Sequence, residues 1–479
     1  MRAVADSRTL KDLASYLATR VPEPPARVLA AGWPAPARQR LPLCGRDLRW
    51  VRDLAGLADG PRGAFDAALW HAGRIAEEEV AAARRALAGD GTLIAVVPGT
   101  GPGPPRRRGG LPAKEEELLR HVVHRLSEGG FAILREDQLQ GAEPGDGWTV
   151  LQARPDPFVL RSYRAGDEAA ILELFPACFH VARSEDHWRW KYRENPWGSL
   201  KISMAFSPEG ELAAHYASYP VPFWRRDRGT TLALQMGDTM TSPAFRRAGA
   251  GRSGLLVRTV RHFFALHRDG THGFYYGFNT GPIQRFCLWC IGGSQISDVG
   301  YWIRSLETAP GWDPGGYRVE RFTEVGPAWD RFFERAAPHY GFLVRRDARW
   351  LDWRYLRCPD ADFVLLAARR WGRLAGWCVF RRREDRLVWG DALFHPRHAG
   401  AAEPILAAAL EVPELAGARR LEAWFPDRPG WWRQRLPALG LAEETHPDGL
   451  GMVALADADG DAIDKLGELY YTMGDGDLF

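Results

Sequence analysis

Short apolar runs alternate with longer helical stretches along the first third of the chain, up to about residue 155. The strands that this pattern predicts lie at 27–31, 65–70, 92–97, 131–134 and 148–153, and the helices at 75–88 and 113–126. Alternation of this length is typical of a doubly wound α/β sheet. A loop rich in glycine, proline and arginine at 99–112 interrupts the pattern, and we expect it to be exposed.

Two similar segments follow, and they indicate an internal duplication. The tripeptide Trp-Lys-Tyr at 190–192 ends four residues before a proline, as does Trp-Arg-Tyr at 353–355. The dipeptide Gly-Asp at 237–238 ends five residues before another proline, as does Gly-Asp at 390–391. The offsets of 163 and 153 residues predict one duplicated unit with a short deletion in its second copy.

Length and composition set the domain count and exclude several classes of protein. The chain has 479 residues, of which 46% are hydrophobic and 26% charged, and its formal net charge is +3. This balance excludes a disordered chain, a collagen-like repeat and a disulfide scaffold. We predict three domains, at 1–155, 156–310 and 311–479, in a mixed α/β fold. No apolar stretch approaches the length of a membrane span, so we expect a cytoplasmic protein without a membrane partner.

The stretch 232–257 has the pattern of a strand, a turn and the start of a helix. Its turn, Arg-Arg-Ala-Gly-Ala-Gly at 246–251, is called the arginine–glycine turn below. Small residues here let successive backbone amides point into one concave nest at a helix N-terminus, where the helix dipole also favours an anion. Arg246 and Arg247 add positive charge, so the turn suits a pyrophosphate group.

The arginine–glycine turn resembles the acyl-coenzyme A loop of the GNAT acyltransferase superfamily. The resemblance extends over the second block, where 158–168 resembles the family's first strand and loop, 201–206 and 211–219 its second and third strands, and 275–279 its fifth strand. The third block is similar to a second, degenerate GNAT-like domain, as in tandem GNAT proteins, and its equivalent loop at 395–404 lacks the second glycine. The resemblance implies two mixed-sheet domains and acetyl-coenzyme A, or another acyl-coenzyme A, as the co-substrate.

The resemblance also implies which residues bind this co-substrate. They lie at the end of the fourth strand of the pattern, in the arginine–glycine turn and at the mouth of the fifth strand: Met240, Thr241, Arg246, Arg247, Ala248, Gly249, Ala250, Gly251 and Asn279. In the GNAT pattern a backbone amide near Met240 or Thr241 polarises the thioester carbonyl.

Acyl transfer from a thioester to an amine requires a neutral amine, and therefore a base that acts directly or through water. Asp238 is the first candidate, because it is a charge among apolar strand residues; Glu211, His215 and Tyr216 on the neighbouring strand are the others. A salt bridge or a turn cap beneath the loop would also explain Asp238. The recurrence of aspartate at position 391 favours that structural explanation.

The departing thiolate has no evident acid. Many GNAT enzymes carry a tyrosine in the helix after the fifth strand, at the position that Leu288 occupies in this chain. Either another tyrosine, Tyr275 or Tyr276, protonates the thiolate, or the thiolate leaves unassisted. The resemblance therefore implies cofactor binding more directly than catalysis.

The first block resembles the later half of the class I S-adenosylmethionine-dependent methyltransferase fold. The segments Phe-Asp-Ala-Ala-Leu-Trp-His at 65–71, Leu-Ala-Gly-Asp-Gly-Thr-Leu-Ile-Ala-Val at 87–96 and Gly-Gly-Phe-Ala-Ile-Leu at 129–134 carry the resemblance. After 27–31, however, a single glycine precedes Trp-Pro-Ala-Pro, and proline offers no backbone amide to a ligand. We therefore expect a degenerate methyltransferase-like domain that does not bind S-adenosylmethionine.

No motif in the sequence predicts a metal site. Cys287 and Cys290 form a CxxC pair without a matching second pair, and they lie in a segment that reads as a buried helix. His121 and His124 share a helix face, but no third ligand is evident, so we expect surface histidines. The acidic stretch 457–468 lacks the glycine of a calcium loop and is expected to be a solvated loop.

These observations predict an N-acyltransferase that moves an acyl group, acetyl by preference, from coenzyme A to an amine of a small metabolite such as an amino sugar or an amino-acid-like compound, in a biosynthetic pathway. One alternative is an aminoacyl-tRNA-dependent transferase of tandem-GNAT type, which would bring tRNA as a partner. The other is a non-catalytic binding protein. The aromatic tail at 470–479 either docks on the acceptor cleft or closes the last sheet.

Overall fold

The apolar and polar pattern in the first third of the chain does fold into alternating strands and helices. They belong to a computed structural model of the 479-residue chain. The residues that it describes are 13, 16–17, 19–22, 26–31, 33, 47–51, 62–71, 75–98, 113–139, 148–198, 200–248, 254–307, 311–312, 315–457, 460–477 and 479.

Strands and helices are numbered in chain order. The strands are β1 (Arg27–Ala31), β2 (Asp47–Val51), β3 (Phe65–His71), β4 (Leu87–Pro98), β5 (Phe131–Leu139), β6 (Trp148–Pro155), β7 (Val159–Ser162), β8 (Lys201–Phe206), β9 (Leu212–Arg225), β10 (Gly229–Thr241), β11 (Phe274–Asn279), β12 (Ser294–Asp298), β13 (Tyr301–Ser305), β14 (Arg318–Arg321), β15 (Phe342–Val344), β16 (Val364–Arg370), β17 (Arg373–Arg383), β18 (Arg386–Phe394), β19 (Arg420–Trp424), β20 (Ala442–Glu444), β21 (Gly451–Ala456) and β22 (Leu469–Tyr470). The helices are α1 (Glu77–Ala86), α2 (Ala113–Glu128), α3 (Glu168–Phe179), α4 (Glu185–Trp188), α5 (Leu255–His267), α6 (Gly281–Cys290), α7 (Pro327–Ala336), α8 (Ala348–Leu351), α9 (Ala402–Glu411), α10 (Gly430–Arg433), α11 (Arg435–Ala438) and α12 (Gly460–Lys465). Within the described residues, no helix combines the length and the hydrophobicity that crossing a membrane requires.

The chain divides into two compact units. Unit 1 takes its residues from 1–180, 201–217 and 238–269, and unit 2 takes its residues from 181–200, 218–237 and 270–479. The long strands β9 and β10 each supply residues to both units. The three domains that the sequence indicates stay a prediction.

Unit 1 contains a six-stranded sheet with the order β2-β1-β3-β4-β6-β5. The first four strands are parallel, and β6 runs antiparallel to both β4 and β5. Apolar side chains of α1 and α2, such as Val80, Val122 and Leu126, pack on the buried residues of these strands. The mixed α/β fold class is therefore confirmed.

The apolar runs of the sequence correspond to β1, β3, β4, β5 and β6, so these five strand predictions are confirmed. The helix predicted at 75–88 is shorter, because Leu87 leaves the helical conformation and begins β4 at once. Strand β2 is not predicted, since two of its five residues, Asp47 and Arg49, are charged and blur the apolar signal. Short strands at a sheet edge carry little hydrophobic pattern.

Unit 2 contains strands of two mixed sheets. Each of these sheets includes one strand that comes from the part of the chain that mainly forms the other sheet. The first has the order β12-β21-β11-β10-β9-β15-β22, and β8 and β7 extend it, because β8 also pairs with β9 and β7 pairs with β8. The second has the order β14-β16-β17-β18-β19-β13-β20. Strand β13 precedes residue 310 but pairs with β19 and β20 of the second sheet. Strand β21 comes near the end of the chain but pairs with β11 and β12 of the first sheet. Neither sheet is therefore complete without residues from both sides of position 310.

The two copies of the tryptophan tripeptide have the same local structure within unit 2. Each follows a one-turn helix, α4 or α8, whose N-cap side chain, Ser184 or Asp347, accepts a backbone hydrogen bond. Each then lies in a turn of π helix. The rings of Trp190 and Trp353 stack with centroids 5.0 Å apart, and each indole N–H donates to the backbone carbonyl of the other tryptophan. The similarity detected in the sequence is thus a pair of equivalent, mutually packed turns.

Candidate functional site

The arginine–glycine turn connects the end of β10 to helix α5 in unit 1. A short 3₁₀ turn at Pro243–Phe245 follows β10, and Arg246 then donates from Nε to the carbonyl of Thr241 at 3.4 Å. The carbonyl of Ala248 accepts a hydrogen bond from the backbone N–H of Leu255 at 3.0 Å, which holds the two ends of the connection together. Gly249, Ala250 and Gly251 lie outside the described residues.

Helix α5 gives this connection a positive electrostatic environment. The helix has 13 residues and no acidic residue in its first turn, so nothing there opposes the positive end of its dipole. The side chains of Arg246 and Arg247 are exposed next to it, whereas Ala248 packs against the core around Phe158 and Leu160. Two solvent-accessible guanidinium groups and a helix N-terminus are thus in place for an anion.

Asp238 interrupts the extended geometry of β10. Its backbone φ is +49°, a left-handed conformation that is uncommon for a residue other than glycine, and its side chain is buried. The fully buried His215 on β9 donates from Nδ1 to the Asp238 carbonyl at 2.8 Å, and the carbonyl can only accept, so this nitrogen carries the proton. The contact fixes β10 just before Met240, which is buried, and Thr241. Unusual backbone at a strand end often accompanies a functional site.

The other two candidates for the base, Tyr216 and Glu211, lie on β9 and in the turn before it. Tyr216 is buried on β9, and its ring makes an edge contact with Phe263 of α5 at 4.9 Å. Glu211 is exposed in the turn between β8 and β9, where Ser207 closes the hairpin by backbone hydrogen bonds. The structure therefore brings His215 and Asp238 together and leaves Glu211 in a surface turn. The catalytic roles of these residues stay predictions.

In unit 2, β10 and β11 form a parallel pair whose described register contains Leu234 with Tyr275 and Gln235 with Tyr276. Tyr275 is completely buried in this pair. Asn279 lies at the end of β11, where its amide nitrogen is 3.7 Å from the Sγ atom of Cys287 on α6. The predicted helix around the CxxC pair is confirmed, but the prediction that it is buried is wrong: Cys287 is its one buried residue, and Trp289 between the cysteines is exposed.

The C-terminal tail runs along this strand pair. The hydroxyl of Tyr276 donates to the carbonyl of Asp475 at 3.1 Å. Lys191, which is buried, donates to the carboxylate of Asp477 at 2.7 Å, and the same carboxylate lies directly against Gly237 of β10. A side chain at position 237 would collide with it, because a Cβ there would be 2.7 Å from the Asp477 oxygen. The sequence places Lys191 in the repeated tripeptide but does not point to it as a site residue, because its chain neighbours are aromatic.

Asp391, the counterpart of Asp238 in the repeat, has a purely structural environment in unit 2. The fully buried Arg346 donates to the Asp391 carboxylate at 2.9 Å and also pairs with Asp475 of the tail. The hydroxyls of Tyr355 and Thr472 donate to the same Asp391 carboxylate at 2.6 and 2.9 Å. Burial raises the pKa of Asp475, although the guanidinium of Arg346 opposes this shift. A buried salt bridge with Arg346 therefore accounts for Asp391.

No family model matches the chain, and no curated protein matches it. Several solved structures are similar. A probable N-acyltransferase from Enterococcus faecalis V583 is 13% identical, with 63% of this chain and 72% of that chain covered and a TM-score of 0.46. A GCN5-related N-acetyltransferase from Anabaena variabilis is 10% identical over 62% and 72% of the two chains, with a TM-score of 0.47. A tandem GNAT protein from the clavulanic acid biosynthesis pathway is 14% identical over 63% and 98%, with a TM-score of 0.45.

Proposed function

We propose that the chain is a GNAT-type N-acyltransferase that uses acetyl-coenzyme A or another acyl-coenzyme A. The observation that carries the proposal is the connection from β10 to α5, where exposed Arg246 and Arg247 follow the strand and an unopposed helix N-terminus ends the turn. This arrangement supplies charge-assisted donors to a pyrophosphate. The resemblance of the turn to the acyl-coenzyme A loop adds the identity of the ligand.

The proposed reaction forms an N–C bond and breaks a C–S bond. The acceptor amine attacks the thioester carbon, its proton passes to a base, and coenzyme A leaves as the thiolate and takes up a proton from solvent. We assign the base to Asp238, which His215 holds in a strained backbone conformation. A backbone amide of Met240 or Thr241 would polarise the carbonyl. Tyr276 is a poor acid for the thiolate, because burial raises its pKa well above the ordinary value.

The acceptor that we propose is a small amine, such as an amino sugar or an amino-acid-like compound. The Asp477 carboxylate of unit 2 supports this class, because it lies against Gly237 and 24% of its side chain is exposed. A carboxylate at this position would attract an ammonium group, although Lys191 already neutralises part of its charge. We also propose that the methyltransferase-like first domain does not bind S-adenosylmethionine.

Calorimetric titration with acetyl-coenzyme A, and separately with S-adenosylmethionine, tests the proposal. We expect binding of the thioester alone in the micromolar range, weakened about tenfold to a hundredfold by Arg246→Ala and further by Arg247→Ala, because each substitution removes a charge-assisted contact. Arg268→Ala, at the other end of the same helix, is the matched control and should leave the affinity unchanged. An unchanged affinity in the Arg246→Ala/Arg247→Ala variant would contradict this site.

Released thiol, measured with a panel of amines, then separates an enzyme from a binding protein. Asp238→Asn should lower kcat by about a hundredfold or more and leave acetyl-coenzyme A binding intact, since general base catalysis contributes about that much. Failure of the wild-type chain to bind acetyl-coenzyme A would end the proposal. In that case binding of aminoacyl-tRNA with a steep loss on added salt would favour the tRNA-dependent alternative.

A further inference from the structure

Two helices of unit 1 bring three potential metal ligands together. His124 and Glu128 lie one turn apart on α2, and His262 lies on α5. One ligand atom from each of the three side chains falls within 4.8 Å of the other two. The sequence showed no third ligand for His124, because His262 is far away along the chain and only the packing of α2 on α5 makes them neighbours. The expectation of a surface histidine is corrected accordingly, since only 21% of the His124 side chain is exposed.

His262 has the environment of an oriented ligand. Its side chain is completely buried, and its Nδ1 atom is hydrogen-bonded to the hydroxyl of Ser203 on β8 at 3.0 Å. Its Nε2 atom is also buried and has no hydrogen-bond partner among the described residues. Histidines that bind metals usually engage their second ring nitrogen in such a hydrogen bond, which sets the ring orientation. An unpartnered, fully buried nitrogen is otherwise destabilising.

His124 and Glu128 complete the cluster from the other helix. The His124 ring centroid is 5.3 Å from that of His262, and its Nε2 atom is 3.3 Å from the Glu128 carboxylate. Positions i and i+4 share one face of a helix, so both side chains can reach the same point. One third of the Glu128 side chain is exposed, at 33%, which leaves an opening to solvent for an ion and for a water ligand.

The charge state of the cluster suits a cation. Burial lowers the pKa of His262 to about 3 and that of His124 to about 4, so both rings are neutral at pH 7, as metal binding requires. Burial raises the pKa of Glu128, where Arg125 and Arg164 oppose the shift and Glu77 adds to it. The two arginines weaken cation binding, and the carboxylates of Glu128 and Glu77 offset them.

We propose that His124, Glu128 and His262 bind one Zn²⁺ ion, which ties α2 to α5. Two histidines and one carboxylate form a donor set that zinc accepts, with water in the fourth position. The ion would link the helix of the first block to the helix that follows the arginine–glycine turn. Its role would be to hold these helices together, and it does not depend on the proposed acyl transfer.

Zinc titration of the full-length chain, without an affinity tag and after removal of metals by a chelator, tests the proposal. We expect one equivalent of Zn²⁺ to bind with a dissociation constant below about 1 μM and to raise Tm by several degrees. Co²⁺, used as a spectroscopic probe, should give the visible absorption of a tetrahedral site that Zn²⁺ then displaces. This measurement needs no variant.

Variants locate the site. His124→Gln and Glu128→Gln, both on the partly exposed helix, should weaken Zn²⁺ binding at least about tenfold and remove the Co²⁺ absorption. His121→Gln is the matched control, because His121 is on the same helix but is hydrogen-bonded through Nε2 to the carbonyl of Ile75 at 3.1 Å. Absence of stoichiometric Zn²⁺ binding by the wild-type chain would overturn the proposal, as would wild-type affinity in both variants.

Discussion

Asp238 and Asp391 occupy equivalent places in two similar sequence motifs, but the contacts around them differ. Asp391 is enclosed by Arg346, Tyr355 and Thr472, which satisfy its carboxylate inside a core. Asp238 instead has a left-handed backbone held by His215 at the end of a strand. The buried ion pair gives Asp391 a structural role, whereas the strained backbone of Asp238 supports its proposed role as the base, since such strain often occurs at functional sites. The residue type alone could not distinguish them.

The half-buried His124 and the buried His262 should make the folded chain sensitive to mild acid. Unfolded histidines bind protons near pH 6.5, whereas burial lowers the pKa of His124 to about 4 and of His262 to about 3. Between these values the unfolded state binds more protons, so the free energy of unfolding falls as the pH falls from about 6.5 towards 4, by about 1.4 kcal/mol per pH unit for each histidine. Arg125 and His121 next to His124, and His267 next to His262, act in the same direction.

Urea unfolding at several pH values, with a chelator present, measures this slope. His262→Gln should reduce it by about 1.4 kcal/mol per pH unit, because the contribution of this ring is then lost. His180→Asn, at an exposed helix end away from both rings, should keep the wild-type slope, because asparagine tolerates the left-handed backbone at that position. Equal slopes for wild type and His262→Gln would show that the buried ring is not the source of acid sensitivity.

At the scale of elements, the C-terminal tail at 470–479 packs in the core of unit 2. The guanidinium of Arg354 donates to the backbone carbonyls of Gly474, Gly476 and Phe479. The ring of Phe479 contacts Phe363 at 5.0 Å between centroids. The same tail contacts β10 through Asp477. Its packing against the sheets of unit 2 agrees with the second sequence-based explanation, and docking on an acceptor cleft stays a prediction.

Gly390 and Phe479 should be energetically coupled. A Cβ at position 390 would be 1.7 Å from the ring of Phe479, so Gly390→Ala should destabilise the chain by about 1–3 kcal/mol through overpacking. Phe479→Ala should cost about 3 kcal/mol through lost burial. In the double variant the collision is absent, so the total loss should be smaller than the sum of the two.

Urea unfolding of the four chains at neutral pH gives this coupling free energy. Gly430→Ala is the control, because no atom lies within 4 Å of a Cβ at that position, and its effect should be additive with Phe479→Ala. Strict additivity of Gly390→Ala and Phe479→Ala would mean that the ring does not pack on β18 as described.

At the scale of the molecule, the exchange of strands makes unit 2 a single folding unit across position 310. Strand β11 pairs along six residues with β21, from Phe274 with Ala456 to Asn279 with Gly451. Strand β13, which precedes position 310, pairs on both sides with strands that follow it, β19 and β20. Removing either strand would leave a sheet with unpaired backbone groups at an edge that is normally covered.

A chain cut at residue 310 should therefore fail to fold in separate pieces. We expect fragments 1–310 and 311–479 to be insoluble when expressed alone and to form a soluble complex when expressed together, because each supplies a strand that the other lacks. The measurements are solubility and the presence of a cooperative thermal transition. A soluble fragment 311–479 with its own cooperative transition would contradict the importance of β13.

The sequence by itself determined the features that depend on local pattern. Apolar runs located β1, β3, β4, β5 and β6, and the motif spacing located the paired tryptophan turns. The arginine–glycine turn was also visible, because small residues before an apolar helix are a local signal. Such features can be predicted from the sequence, because hydrophobic periodicity and turn residues act over only a few positions along the chain.

Only the tertiary structure decided which distant residues meet. The union of His124 and Glu128 with His262, the burial of Arg346 between Asp391 and the tail, and the exchange of β13 and β21 all join segments far apart in the chain. No local pattern encodes these contacts, because each partner alone looks like an ordinary polar or apolar residue. They form when strands assemble into sheets and helices pack on them, because the burial of apolar surface over the whole fold determines which segments become neighbours.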